Sequence, residues 1–294
     1  MTIKPPALRK RAVIGVVATS SPFDRDQFQA GVSILEGMGF RVVLGDHIMS
    51  RNGHLAGPDE DRLADLQSMI ANPEVDAVIA ARGGSGALRI VGSLDFEEIR
   101  RNPKPLVGFS DLSVLLNTIS QRCSLVTFHG PMVHSLPKVT VDSLAALQSA
   151  LMNETFPTLE WEGRQVARKG TASGPLYGGN LATLCSLVGT PFEPSFDNAV
   201  LMLEDINEPF YRVDRMLTQL KLAGKFEKLA GVLLGEFSGV ENGGQIWERV
   251  LELVPSSIPV WGDMPFGHGP VNYTWPIGAV ASFGRGGAIS FSVP

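Results

Sequence analysis

Apolar positions in the first half of the chain come in two textures, short runs with almost no polar interruption and longer stretches with one apolar face. The runs Arg11 to Ala18, Phe40 to Leu44, Asp76 to Ala80, Pro105 to Phe109 and Leu125 to Phe128 predict strands. The stretches Arg25 to Gly37, Glu60 to Ile70, Asp111 to Gln121 and Val141 to Met152 predict helices. Strands as uniformly apolar as Val75 to Ala80 suit a parallel sheet buried on both faces by right-handed helical crossovers. Residues 1–152 are therefore expected to form a doubly wound α/β domain. From about Phe156 the texture changes to a Gly-rich segment, Gly163 to Gly179, and shorter strands at Val200 to Leu203, Gly231 to Glu236 and Ala279 to Phe283. Helices are expected at Leu181 to Val188, Arg212 to Ala223 and Gly244 to Val254. A smaller mixed α/β, Gly-rich C-terminal domain over 169–294, reached by a linker at 153–168, fits this reading.

Composition narrows the classes without choosing among them. The 294 residues are 44% hydrophobic and 19% charged, an ordinary globular mix that excludes disorder over most of the length. With a net charge of -5 and no dense basic cluster beyond Lys4 to Arg11, nucleic acid is not an expected partner. The basic residues ahead of Ala12 to Ala18 imitate a secretory leader, yet Ser20-Ser21-Pro22 and the amphipathic stretch behind them read as strand, loop and helix. No apolar run approaches the roughly 18 residues of a membrane span, so no membrane helix is expected. The two cysteines, Cys123 and Cys185, lie far apart and form no metal-type pair, which favours a reducing, cytoplasmic setting.

Three segments carry candidate chemistry. In Pro105 to Leu116 an apolar strand runs into a helix with Ser110 at the corner, where a hydroxyl projects from the sheet beside the free N–H groups of a helix start. Gly108 supplies the first glycine of a G-x-S-x-G elbow and Leu112 replaces the second, so a simple helix cap by Ser110 is the competing reading. Arg82-Gly83-Gly84-Ser85-Gly86 leaves another strand, and its glycines let backbone N–H groups approach an anion. It lacks the spacing of a dinucleotide loop and the lysine of a nucleotide-binding loop. An oxyanion site could combine one glycine N–H with that of Asp111. Of the five histidines, His47, His54, His129, His134 and His268, only His268 stands in a glycine-flanked loop, Gly267-His268-Gly269, free of helical or strand duty. His129 and His134 are spaced poorly for a metal. The third segment, Val200 to Leu217, ends an apolar strand in Glu204-Asp205 and continues to Glu208. A carboxylate at a strand exit can orient an imidazole, and spacing leaves Asp205 and Glu208 competing for that task.

Taken in order, these segments, with Ala18 to Pro22, Gly178-Gly179-Asn180-Leu181 and Tyr211 to Arg215, resemble the LD-carboxypeptidase family of serine peptidases over nearly the whole chain. That family includes cytosolic murein tetrapeptide carboxypeptidases and microcin C self-immunity peptidases. The resemblance implies Ser110 as nucleophile, Glu204 as the carboxylate and His268 as the base, with no metal or cofactor. It implies oxyanion donors at Asp111 and at Gly83 or Gly84, and a homodimer. Ser85 stands where family members often carry an aromatic residue, which bears on substrate contact. The implied activity is removal of the terminal D-alanine across an L,D bond of cytoplasmic muropeptide tetrapeptides during wall recycling. The alternatives are cleavage of an aminoacyl-nucleotide amide and, in another class, a two-domain small-molecule binding protein, which would not need the Ser110, Glu204 and His268 set.

Overall fold

A computed structural model describes residues 2–240, 244–284 and 286–293. The first half is built from β1 (Val13–Val17), α1 (Arg25–Gly37), β2 (Arg41–Leu44), α2 (Asp59–Ala71), β3 (Ala77–Ala80), α3 (Ala87–Ile90), α4 (Phe96–Arg101), β4 (Leu106–Gly108), α5 (Ser113–Cys123), β5 (Thr127–His129) and α6 (Val141–Met152). The second comprises β6 (Leu159–Glu160), β7 (Gln165–Arg168), β8 (Ala172–Asn180), α7 (Leu181–Leu187), β9 (Val200–Ile206), α8 (Phe210–Leu222), β10 (Gly231–Ser238), α9 (Gly244–Leu253), β11 (Val260–Gly262), β12 (Trp275–Ile277), β13 (Val280–Phe283) and β14 (Ala288–Ser292).

The chain folds as two α/β layers. In the N-terminal sheet, ordered β12-β5-β4-β3-β1-β2, every pairing is parallel except that of β12 with β5. Alternation along its strands divides the core. Ile14, Val16, Ala77 and Ile79 face α1 and α6 through Phe28, Leu35, Leu147 and Leu151. Val13, Val17, Val78 and Ala80 face α2 and α5 through Leu66, Met69, Leu115 and Ile119. The C-terminal sheet, ordered β6-β14-β13-β8-β9-β10-β11-β7, is mixed: β8 to β11 run parallel and the flanking strands antiparallel. Its Leu201, Leu203, Val232 and Leu234 meet the apolar faces of α7, α8 and α9. Its other face carries Val200, Met202 and Leu233 against Trp261, Phe266, Trp275 and Phe283.

Several elements differ from the sequence expectations. Residues 153–168, expected as linker, contribute β6 and β7 to the C-terminal sheet. Strand β12, far along the chain, crosses back to edge the N-terminal sheet, pairing Trp275 with His129. Pro276 is accommodated there because an edge strand has one side with no ladder to complete. The helix expected at Asp111 to Gln121 opens with a tight 3-10 turn, Ser110–Leu112, before α5 begins.

Candidate active site

Ser110 follows β4 and the extended Phe109 and sits at φ 62°, a left-handed conformation that costs a non-glycine residue of order 1–3 kcal/mol. Strain of this kind persists where the surroundings over-determine it, and it turns the hydroxyl away from both sheet and helix. The missing second glycine of the elbow has a steric explanation. A Cβ on Gly108 would come within 2.7 Å of the Leu112 side chain, so Leu112 fills the space that Gly108 leaves.

The glycine loop closes on this corner. A Cβ on Gly83 would lie 3.0 Å from Ser110 Cβ and 3.2 Å from its Oγ, and one on Gly84, at φ +115°, would collide with Ser21 Oγ at 2.3 Å. The loop is held by its neighbours: Ser21 N–H donates to the Gly83 carbonyl at 3.2 Å, and Ser85 N–H donates to Ser21 Oγ at 3.1 Å. The N–H groups of Gly83, Gly84 and Asp111 make no hydrogen bond among the described residues, which leaves them available to a ligand. Two side chains fasten the loop, Asp111 through its carboxylate, a role not read from the sequence, and Arg62, which sequence reasoning missed. The Asp111 carboxylate accepts the Ala87 N–H at 2.8 Å, and burial pushes this carboxyl above its ordinary pKa. Arg62, 1% exposed, donates to the Thr19 and Gly86 carbonyls and pairs with Asp59. An arginine on an amphipathic stretch reads as solvent-facing, and no sequence signal marks this one as buried.

Glu204, near the end of β9, is completely buried, and its Oε2 lies 2.6 Å from His268 Nδ1. His268 is mostly buried, and its ring lies 4.9 Å from the ring of Phe109, the residue before Ser110. Burial works against the charged imidazole, but the charge and hydrogen bond of Glu204, aided by Asp205 and Glu236, outweigh it and hold His268 above its ordinary pKa. No hydrogen bond joins Ser110 to His268 among the described residues, and the imidazole's one side-chain partner is Glu204. The carboxylates that sequence left in competition are occupied elsewhere. Asp205 accepts from Asn180 Nδ2 at 2.9 Å, Ala182 N–H at 3.0 Å and Ile206 N–H at 2.8 Å, fixing the start of α7, and burial raises its pKa to about 6. Glu208 lies 3.0 Å from Arg212 Nε, one turn further along the chain.

The remaining candidates fall away from the corner or into the core. His47, beyond β2, pairs with Asp65 of α2 at 2.8 Å, and His129 is fully buried. Both cysteines are free and buried, and burial pushes the Cys185 thiol up to about 12, so neither is a nucleophile at neutral pH. No group of three or more His, Cys, Asp or Glu side chains able to hold a metal occurs among the described residues.

Two α/β layers, a strained serine at a strand-to-helix corner and a buried carboxylate–imidazole pair beside it define a protein of the serine peptidase class. The sequence signature of the LD-carboxypeptidase N-terminal domain matches residues 14–130 and that of the C-terminal domain matches residues 173–283, and the chain belongs to the LD-carboxypeptidase family. It is 37% identical to a Bacillus subtilis (strain 168) protein described as a probable murein peptide carboxypeptidase, over 96% of this chain and 92% of that one. The crystal structure of muramoyltetrapeptide carboxypeptidase from Oxalobacter formigenes superposes with a TM-score of 0.84 at 28% identity, covering 96% and 100% of the two chains. An MccF-like protein from Bacillus anthracis str. Ames superposes at 0.91 with 24% identity over 100% of both chains, a likeness of fold.

Proposed function

We propose that this protein is a serine carboxypeptidase that removes the terminal D-alanine from muropeptide tetrapeptides across an L,D bond, a reaction of cell-wall recycling. The observation that carries the reading is the buried Glu204 bonded to His268 Nδ1, with the imidazole 4.9 Å from the ring of Phe109, one residue from Ser110. In this mechanism Ser110 Oγ attacks the carbonyl carbon of the scissile amide. His268 Nε2 takes the hydroxyl proton and returns it to the departing D-alanine amine. Glu204 fixes the imidazole tautomer through Nδ1–H and stabilises the imidazolium. The N–H of Asp111 and that of Gly83 or Gly84 receive the oxyanion of the tetrahedral intermediate. Water, activated by the same imidazole, then releases the tripeptide.

The murein-type names among relatives favour this substrate over an aminoacyl-nucleotide amide. Incubation with a murein tetrapeptide and, separately, an aminoacyl-nucleotide amide, followed by mass spectrometry, is expected to yield tripeptide and D-alanine from the first. Cleavage of the second alone would transfer the reading to microcin-type chemistry, and turnover of neither would overturn both substrate readings. Ser110→Ala should abolish turnover in a protein that remains folded by circular dichroism, since no acyl-enzyme forms without the hydroxyl. Undiminished turnover in that variant would remove Ser110 from the mechanism. EDTA should leave the wild-type rate unchanged, and inhibition reversed by zinc would point to a metallopeptidase instead.

A further inference from the structure

Behind the Glu204–His268 pair lie three fully enclosed polar atoms with no partner among the described residues, Oε1 of Glu204 and both ring nitrogens of His129. His129 closes β5, and its ring stands 5.8 Å from that of Phe109 and 5.9 Å from that of Phe266. Phe109 thus has both imidazoles as neighbours, His129 on one side and His268 at 4.9 Å. A Cβ on Gly179 would lie 3.4 Å from His129 Nδ1, and Gly179 precedes Asn180, the register partner of Glu204. The ring is therefore set against the strand pair that carries the carboxylate. A buried carboxylate oxygen and a buried imidazole are each costly to leave unpaired, and the Glu204 charge acts on the His129 ring.

We propose that His129 is a positioning residue for Glu204: its ring donates an N–H towards Oε1 through one enclosed water, and so fixes the carboxylate whose other oxygen holds His268. The inference rests on the reading of Glu204 as the carboxylate that orients His268. The protonation state agrees with it, since burial, opposed by the Glu204 charge and reinforced by that of His268, lowers the His129 pKa to about 4 and keeps the ring neutral. A neutral ring donates from one nitrogen only, and a donor at Oε1 draws carboxylate charge away from the oxygen that faces His268.

The test follows the imidazole nitrogens by NMR through a pH titration of 15N-labelled wild type, His129→Gln and His129→Leu, alongside kcat and KM. In wild type, the His129 ring N–H signal should shift as His268 titrates. In His129→Leu the His268 titration should move to higher pH, because the charge of Glu204 then concentrates on Oε2. The same variant should lose about 10-fold in kcat with KM little changed, the scale of one charge-assisted hydrogen bond. His129→Gln, which keeps a donor, should recover most of both effects. An unmoved His268 titration in His129→Leu would overturn the proposal. Should that variant fail to fold, a wild-type His129 signal indifferent to His268 would overturn it equally. The titration needs no turnover, so a protein inactive on every tetrapeptide would sink the functional reading while the His129 result still stood or fell by itself.

Discussion

Glu204 and Asp205 are neighbours on one strand and do different work because a strand turns successive side chains to opposite faces. Glu204 meets His268, while Asp205 holds the start of α7. Glu204→Gln preserves shape but removes the charge that stabilises an imidazolium, and should lower kcat by roughly 10²–10⁴-fold. Asp205→Asn and Glu208→Gln should cost far less, and a deep loss at Glu208 with a mild one at Glu204 would overturn the assignment. The pH profile supplies a second check. Because His268 is held above its ordinary pKa and, in the proposed mechanism, must be neutral to accept the serine proton, kcat/KM should fall as pH drops through that raised value. With the Glu204 charge gone, the acidic limb of Glu204→Gln should move to lower pH; a limb that stays in place would mean another group controls it. At this scale the sequence made local placement visible, with Ser110 at a strand-to-helix corner and His268 between glycines. It was not readable where contact decided the matter. Local spacing left Asp205 and Glu208 in competition, and family resemblance together with the place of Glu204 directly after the apolar run Val200 to Leu203 pointed to Glu204; the identity of an imidazole's partner 64 residues away is a tertiary fact.

Elements position these residues through close backbone approach. The loop after β3 reaches the serine only because Gly83 has no side chain: a Cβ there would press on Ser110 at 3.0 Å from its Cβ and 3.2 Å from its Oγ. Gly83→Ala should therefore displace the hydroxyl or the loop by a fraction of an ångström. Misplacement of reacting groups on that scale is expensive, and kcat should fall by roughly 10²-fold. The Gly83 site lacks the positive φ of Gly84, so an alanine there meets no backbone penalty and the urea unfolding midpoint should change little. A Gly83→Ala enzyme with wild-type kcat would show that the loop does not constrain the nucleophile. The glycine loop and the principal helices were legible in the sequence because glycine clusters and long amphipathic periods are local signals. Short elements such as α3, β6 and β11 were not, since two to four residues contain too little periodicity to distinguish a strand or helical turn from loop.

At the scale of the whole molecule, Ser110 follows a strand of one sheet and Glu204 lies on the other, so the proposed catalysis would depend on how rigidly the two layers are joined. The joint is polar and enclosed. Asn117 on α5, fully buried, donates from Nδ2 to the Gly178 carbonyl at 2.8 Å and accepts the Gly178 N–H at its Oδ1 at 2.9 Å. One turn earlier, Ser113 Oγ accepts the Asn180 N–H at 3.1 Å. The helix that begins at the serine corner is thereby tied to β8, and β8 pairs with β9 so that Asn180 lies opposite Glu204. None of this was legible beforehand, because a buried asparagine in a helix carries no mark of its partner and the return of β12 to the first sheet is a long-range pairing. The consequence is testable. Asn117→Leu keeps the volume roughly but strands the Gly178 N–H and carbonyl in the core, at about 1–3 kcal/mol for each unsatisfied group. Urea unfolding should show that loss. If the joint sets the distance between Ser110 and His268, kcat should fall in the folded variant by more than KM rises, while Asn117→Gln, which retains both hydrogen-bonding functions on a longer stem, should lose less stability. A variant that loses stability yet keeps wild-type kcat would show that the two layers hold their register by the other contacts alone, through the Ser113–Asn180 bond and the β5–β12 edge, and that Asn117 serves stability only.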